Sequence, residues 1–171
     1  MYRSLTKPLS AIAIILGISA AVFAAKAEVT TLEYKENNGC KEEQLSIRVV
    51  VDKVRKSKGT IVADLHDDTP EDFLRGSRAL LRIRMPASEG QTDFCIPIDK
   101  PGTYAVGIYH DRNDNWKFDK NFLGIPKESF GLSNNPKYGL SRPKMEDAVF
   151  DVPAEGAETV IKLARARDIL N

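Results

Sequence analysis

The chain lacks the sequence marks of the common enzyme classes. It has no G-x-S-x-G elbow, no P-loop, no H-E-x-x-H pair and no dinucleotide fingerprint. Histidine is scarce: His66 and His110 are the whole supply of imidazole for a transition metal or a general base. Neither sign of charge dominates, since 25 Lys and Arg face 24 Asp and Glu. That balance excludes both the basic face of a nucleic-acid binder and an acidic tail. Internal repeats and low-complexity segments are missing too. A hydrolase built on Ser129, Ser133 or Ser141 with one histidine, or a glycosidase pairing Asp111 with Asp119, therefore rests on residue type alone. It stands third behind the two binding readings below.

A long apolar run occurs once, at the start. Arg3 and Lys7 precede the apolar stretch 9–25, and Ala25-Lys26-Ala27 offers an A-x-A cleavage site, the pattern of a secretory signal peptide over residues 1–27. The run falls short of the ~20 residues that a spanning helix needs, so cleavage is expected in preference to an uncleaved anchor. Loss of Arg3, Lys7 and Lys26 leaves 22 basic against 24 acidic residues. What remains, residues 28–171, is expected to form a single domain without a membrane span, in the periplasm or the medium. Export carries Cys40 and Cys95 to where disulfides persist, and the two are expected to pair; two separate buried thiols are the alternative. Closing a loop of that size would restrict the unfolded chain by ~4 kcal/mol in the entropy model.

The rest of the chain reads as strands. Leu45, Ile47, Val49 and Val51 alternate with mostly polar neighbours, the period-two pattern of a strand with one buried face. Ile61, Ala63 and Leu65 repeat it, then Leu81, Ile83 and Met85, then Phe94, Ile96 and Ile98 up to the turn Asp99-Lys100-Pro101-Gly102. Tyr104, Val106 and Ile108 mark the strongest strand. Ala148, Phe150 and Val152, and finally 159–163, close the series. One short helix is signalled, with Thr69 as N-cap, Pro70 in the first position, and Glu71 and Asp72 in the first turn. About seven short strands with one helix predict an all-β, immunoglobulin-like or transthyretin-like sandwich. A loop excursion, 111–147, interrupts it without sustained periodicity. Its aromatic content argues for order, because disordered segments lack such residues.

The excursion opens with the densest polar chemistry in the chain. Asp111, Asn113, Asn115 and Asp119 fall at positions one, three, five and nine, the spacing at which a tightly wound loop converges oxygens on a hard cation such as calcium. Trp116 stands at position six, where such loops need Gly, and Phe122 at position twelve, where they need a bidentate Glu. Glu128, or the pair Asn134 and Asn135, would have to complete the ligand set. The other reading is that Asp and Asn build successive turns with their own backbone.

The run from His110 through Asp111, Asn113, Asn115 and Asp119 to Asn121 is followed by Leu123-Gly124-Ile125-Pro126-Lys127-Glu128 and by Gly131-x-Ser133-Asn134-Asn135. Together with Pro101-Gly102-Thr103-Tyr104-Ala105-Val106 and Asp147-Ala148-x-Phe150, it resembles the signature of an exported bacterial family, domain of unknown function 2141. The likeness covers about 45–163, and its departure is Trp116, where Gly is usual. The resemblance implies a transthyretin-like or prealbumin-like sandwich, similar to the regulatory domains attached to some carboxypeptidases, and an extracytoplasmic location. It implies no particular activity. Within the motif His110 is expected to orient the first carboxylate, while Asn121, Gly124, Pro126, Gly131, Asn134 and Asn135 set the path of the loop.

Two histidines are too few for a metal site by themselves, so His66 and His110 read as hydrogen-bonded residues at strand ends. Trp116, Phe130 and Tyr138 could form a stacking platform for a sugar or an apolar partner, or a satellite core that pins the excursion down. The sequence thus points to a non-catalytic binding or structural module of the cell envelope, with 110–135 as its interaction site and calcium as the candidate cofactor. An accessory domain that binds carbohydrate or peptide through loop aromatics, without metal, is the alternative. The partner would be an envelope protein or a glycan.

Overall fold

A computed structural model of the protein describes residues 28–35, 38–139 and 141–169. The predicted signal peptide, 1–27, lies outside the described residues. The chain forms an all-β sandwich of two sheets. The strands are β1 (Thr31–Glu33), β2 (Ser46–Val54), β3 (Thr60–His66), β4 (Leu81–Pro86), β5 (Gly90–Pro97), β6 (Gly102–Asp111), β7 (Phe130–Leu132), β8 (Phe150–Val152) and β9 (Ala157–Lys162). One sheet runs β1-β4-β3-β6-β7, with β8 pairing with β6 as well; the other runs β5-β2-β9.

The period-two runs bury the faces they predicted. Ile47, Val49 and Val51 of β2 and Phe94 and Ile96 of β5 meet Ile61, Ala63 and Leu65 of β3, Ile83 of β4 and Tyr104, Val106 and Ile108 of β6 in one core between the sheets. Burial of each such side chain contributes ~1.5–3 kcal/mol, and β2, central in its sheet, places Ile47, Val49 and Val51 fully out of contact with water. Cys40 and Cys95 are joined by a disulfide across 55 positions, S–S 2.03 Å. It ties the segment after β1 to β5, where Cys95 N–H also donates to Asn38 O at 2.7 Å.

The described residues form nine strands against the about seven expected, because β1 and β7 have three residues each, too few for a period to declare itself. The last strand is Ala157–Lys162, and β8 starts at Phe150; Ala148 instead joins a satellite cluster with Phe73, Ala105, Leu132 and Met145. The helix predicted from Thr69 does not form. Asp67 Oδ1 accepts from Thr69 N–H at 3.1 Å, and Asp72 N–H and Arg75 N–H donate three residues back to Thr69 O and Asp72 O, as in turns. Leu74, at φ +56, then reverses the chain so that Phe73 can be buried, edge-on to His66 with ring centroids 5.8 Å apart. Tertiary burial of one aromatic overrules a local helix signal worth ~1 kcal/mol. The one short α-helix, α1 (Ala166–Ile169), lies instead near the C-terminal end.

On the outer face of the larger sheet, Val62, Asp64 and His66 of β3 stand between Arg82 and Arg84 of β4 and Ala105, Gly107 and Tyr109 of β6. Arg82 forks onto Asp64 at 2.7 and 2.8 Å. No helix of the described residues is long and apolar enough to cross a membrane.

Candidate functional site

The excursion begins where β6 ends. Asp111, the last residue of the strand, is fully buried, and its carboxylate is the pin on which the loop turns. Oδ1 accepts from Asn115 N–H at 3.1 Å and Oδ2 from Trp116 N–H at 3.0 Å, so two backbone donors close onto one side chain. Arg84, only 5% exposed, donates to Oδ2 at 3.3 Å from β4, reaching across the intervening strand β3. The guanidinium carbon also lies 3.8 Å from the centroid of the Trp116 ring, a cation–π contact. Asp114 completes the ring of contacts, 3.8 Å from Arg84 and accepting from Thr60 Oγ1 at 2.6 Å.

Trp116 takes φ +65, the left-handed backbone that a glycine would adopt at that position of the loop. Its amide is held by Asp111 and its ring by Arg84, so the surroundings impose a conformation that a bulky residue disfavours. The tight turn therefore forms without glycine.

A second knot follows. Asn113 Nδ2 and Asn115 Nδ2 both donate to the Asp119 carboxylate, at 3.0 Å and at 3.0–3.1 Å. These bonds, Asn115 first, hold the Asp119 carboxyl below the usual carboxylate range. Asn115 Oδ1 accepts from Lys117 N–H at 3.0 Å. Glu128, 5% exposed, accepts from Asp119 N–H at 3.2 Å. Its carboxyl is pushed up to about 7, first by burial and then by the charges of Asp111 and Asp119.

Beyond Asp119 the loop folds into its own small hairpin. Asn121 Oδ1 accepts from both Leu123 N–H and Ile125 N–H at 2.9 Å, Asn121 N–H donates to Ile125 O at 2.8 Å, and Lys120 bridges to Pro126. Gly124 turns the hairpin at φ +79. Its tip carries Phe122 and Leu123, which are 95% and 67% exposed.

The return path is anchored by asparagines at positive φ. Asn134 Nδ2 donates to Val149 O at 2.7 Å; Asn135 Nδ2 donates to Val160 O at 2.6 Å while its Oδ1 accepts from Lys162 N–H at 2.7 Å. Ser133 Oγ donates to Ala148 O at 2.5 Å and accepts from Val106 N–H at 3.0 Å. Gly131 lets β7 pass close over β9, since a Cβ there would sit 2.7 Å from Ile161 Cγ2.

His110 is buried at the other end of the same strand pair. Its Nε2 lies 2.7 Å from Lys58 O, so the ring ties the start of the loop to the β2–β3 connection, and Asp111 takes its orientation from Asn115, Trp116 and Arg84. Burial lowers the pKa of His110, and likewise that of His66. Phe130 and Tyr138 pack edge to face at 4.9 Å in a row that runs through Phe118 to Tyr109, while Trp116, 57% exposed, lies over Arg84. Burial pushes the Tyr138 hydroxyl up to about 12. The half-buried Phe118–Phe130–Tyr138 row packs the excursion onto the sandwich, with Tyr138 set against the satellite cluster.

The sequence-predicted residues thus separate into groups. Asn113, Asn115 and Asp119 meet directly and Glu128 joins them through the Asp119 amide, whereas Asp111 faces Arg84. Among the described residues, no three His, Cys, Asp or Glu side chains are grouped to hold a metal ion. The model of the family described as an uncharacterized protein conserved in bacteria, DUF2141, matches residues 49–161. The chain belongs to DUF2141. No curated protein and no solved structure matches it.

The DUF2141 span, 49–161, takes in both arms of the Asp111 pin. Sequence reasoning missed Arg84 and Thr60 as partners of this loop, and it gave Phe118 and the exposed pair Phe122 and Leu123, which it placed in the loop, no part in the site. Arg84 carried a usable signal: with Arg82 it puts charge on alternate positions of a strand, which marks a face built for polar contacts.

Proposed function

We propose that this DUF2141 protein is an exported, non-catalytic binding or structural module of the bacterial cell envelope, whose loop 110–135 meets an envelope protein or a glycan. The observation that carries the reading is the contrast inside the hairpin tip. Phe122 and Leu123 are exposed, on a turn whose polar side chain, Asn121, is spent on the loop's own backbone. A held turn with an apolar end loses little entropy on binding, which is how pre-organised loops gain affinity. The Cys40–Cys95 disulfide supports an oxidising compartment, periplasmic or extracellular.

The test is Phe122→Ser/Leu123→Ser. Photo-crosslinking from position 120 in whole cells should capture an envelope component, and the double variant carrying the same crosslinker should lose it with an unchanged melting temperature, as expected of exposed positions. Capture by the variant equal to wild type would overturn the reading. Quenching of Trp116 by glycans, with no crosslinked protein, would favour the carbohydrate-binding alternative.

A calcium-organised version of the same loop draws support from Glu128, whose raised carboxyl sits beside Asp111 and Asp119 and would gain from a cation. Asn113, Asn115, Asp119 and Glu128 would be the oxygens available to it; Arg84 already occupies Asp111. Calcium should then raise the melting temperature, and Asp119→Ala should abolish the rise. An unchanged melting temperature at millimolar calcium would leave the loop held by its own side chains.

A further inference from the structure

Below the loop, on the side of His110, three segments of chain enclose a cleft of about 520 Å³. Arg55 and Lys56 come from the end of β2, Arg112 and Lys127 from the two arms of the excursion, and Arg165 and Arg167 from the segment of α1. Six cations line one cleft in a protein whose charges nearly cancel overall. Asp168 is the carboxylate ion-paired within this set, bound by Arg165 in a two-pronged contact and by Arg55 at 3.5 Å. Lys56, Arg112, Lys127 and Arg167 are in no ion pair among the described residues. Asp119 feels the charge of Lys127, but its carboxylate is taken up by Asn113 and Asn115.

The three segments are fastened to one another through the backbone. Gly59, at φ +74, allows the β2–β3 connection to lie directly on Asp111 and Arg112, where a Cβ would come within 2.2 Å of Asp111 O and 2.7 Å of Arg112 Cα. His110, 1% exposed, lines the cleft and holds that connection at Lys58 O, 2.7 Å away. On the far side Phe130 and Ala164 exchange both backbone hydrogen bonds, at 2.8 and 2.9 Å, which sets Arg165 and Arg167 against residues 126–129. Like charges held together by a fixed backbone repel, so the folded chain carries an unfavourable field that an anion would relieve.

We propose that this cleft binds a multiply charged, phosphate-bearing anion. Four unpaired cations call for more than one negative charge. Arg112 and Arg167 each present the planar fork that matches two oxygens of a phosphate. The volume falls in the range of small-molecule sites. A free phosphate compound and a lipid headgroup share this chemistry.

The experiment is calorimetric titration of the purified protein with inorganic pyrophosphate at low salt, beside co-sedimentation with vesicles of cardiolipin, whose headgroup carries two phosphates, in phosphatidylcholine. Saturable pyrophosphate binding that weakens about tenfold or more in Arg112→Glu/Lys127→Glu, and again as sodium chloride rises from ~0.05 to ~0.5 M, supports the site. Vesicle binding without pyrophosphate binding, lost in the same variant, also supports it and makes the headgroup the source. Since Lys127 neighbours Asp119, the exposed pair Lys56→Gln/Arg167→Gln is the second variant and must weaken binding in a chain whose melting temperature is unchanged. Absence of both kinds of binding, or binding that survives both variants, overturns the proposal. Phe122→Ser/Leu123→Ser should leave pyrophosphate binding intact, which separates this site from the loop tip.

Discussion

The sandwich and its excursion are held by different physics. Between the sheets, Ile47, Val49, Val51, Phe94 and Ile96 are wholly buried and no polar partner decides their place. In the excursion, Asp111, Asn115, Asn121, Asn134 and Asn135 each bind backbone groups, and the side chains fix the path of the chain. Burial is non-directional, so the core specifies which face points inward and little else. Hydrogen bonds are directional, and they let a segment with almost no regular structure keep one shape.

The comparison is sharpened by removing one member from each region. Phe94→Ala should cost ~3–5 kcal/mol, by lost transfer energy plus the cavity left behind, and should lower the urea midpoint of the whole protein in one step. If instead the excursion survived while the sheets melted, the two regions would be independent. Asp111→Ala removes the carboxylate that accepts from Asn115 N–H and Trp116 N–H and strands the buried Arg84 with only Asp114, 3.8 Å away; the expected loss is ~3 kcal/mol. Trp116, as the only tryptophan, reports it directly, and its fluorescence should change at lower urea than the circular dichroism of the strands. Coincident transitions would break the proposed division.

The smallest effect is in pH. The Glu128 carboxyl, near 7 in the folded chain against 4.5 when free, favours folding most while protonated; its contribution is full below pH 4.5 and lost as pH rises through 7. His66 and His110, both lowered by burial, act in the opposite direction: their contribution is full above 6.5 and lost as pH falls below it. Melting temperature should therefore decline on both sides of a maximum, and Glu128→Gln should flatten the alkaline limb alone. An unchanged alkaline limb would show that Glu128 does not carry it.

Most of the sandwich was legible because a strand with one buried face repeats every two residues. Leu45, Ile47, Val49 and Val51 announce β2 without reference to anything else. What was not legible depends on partners far along the chain. β7 is a strand because β6 pairs with it, and Arg84 completes the Asp111 pin from 27 positions away. The helix expected at Thr69 failed for the same reason, since burial of Phe73 against His66 outranked its local signals. In the excursion the spacing of Asp111, Asn113, Asn115 and Asp119 did mark where polar side chains converge. It could not tell that Asp111 turns toward Arg84 while the other three turn toward one another.

Asn135 has a consequence for the protein's life among other copies of itself. β9 is the outermost strand of the smaller sheet, and its free side offers backbone groups to any extended chain that comes alongside. The Asn135 side chain occupies two of those groups, Val160 O and Lys162 N–H, as the main chain of a neighbouring strand would, and Phe130 takes the next pair at Ala164. The loop that presents an apolar tip to solvent therefore also blocks the C-terminal half of the β9 rim against strand-to-strand polymerisation.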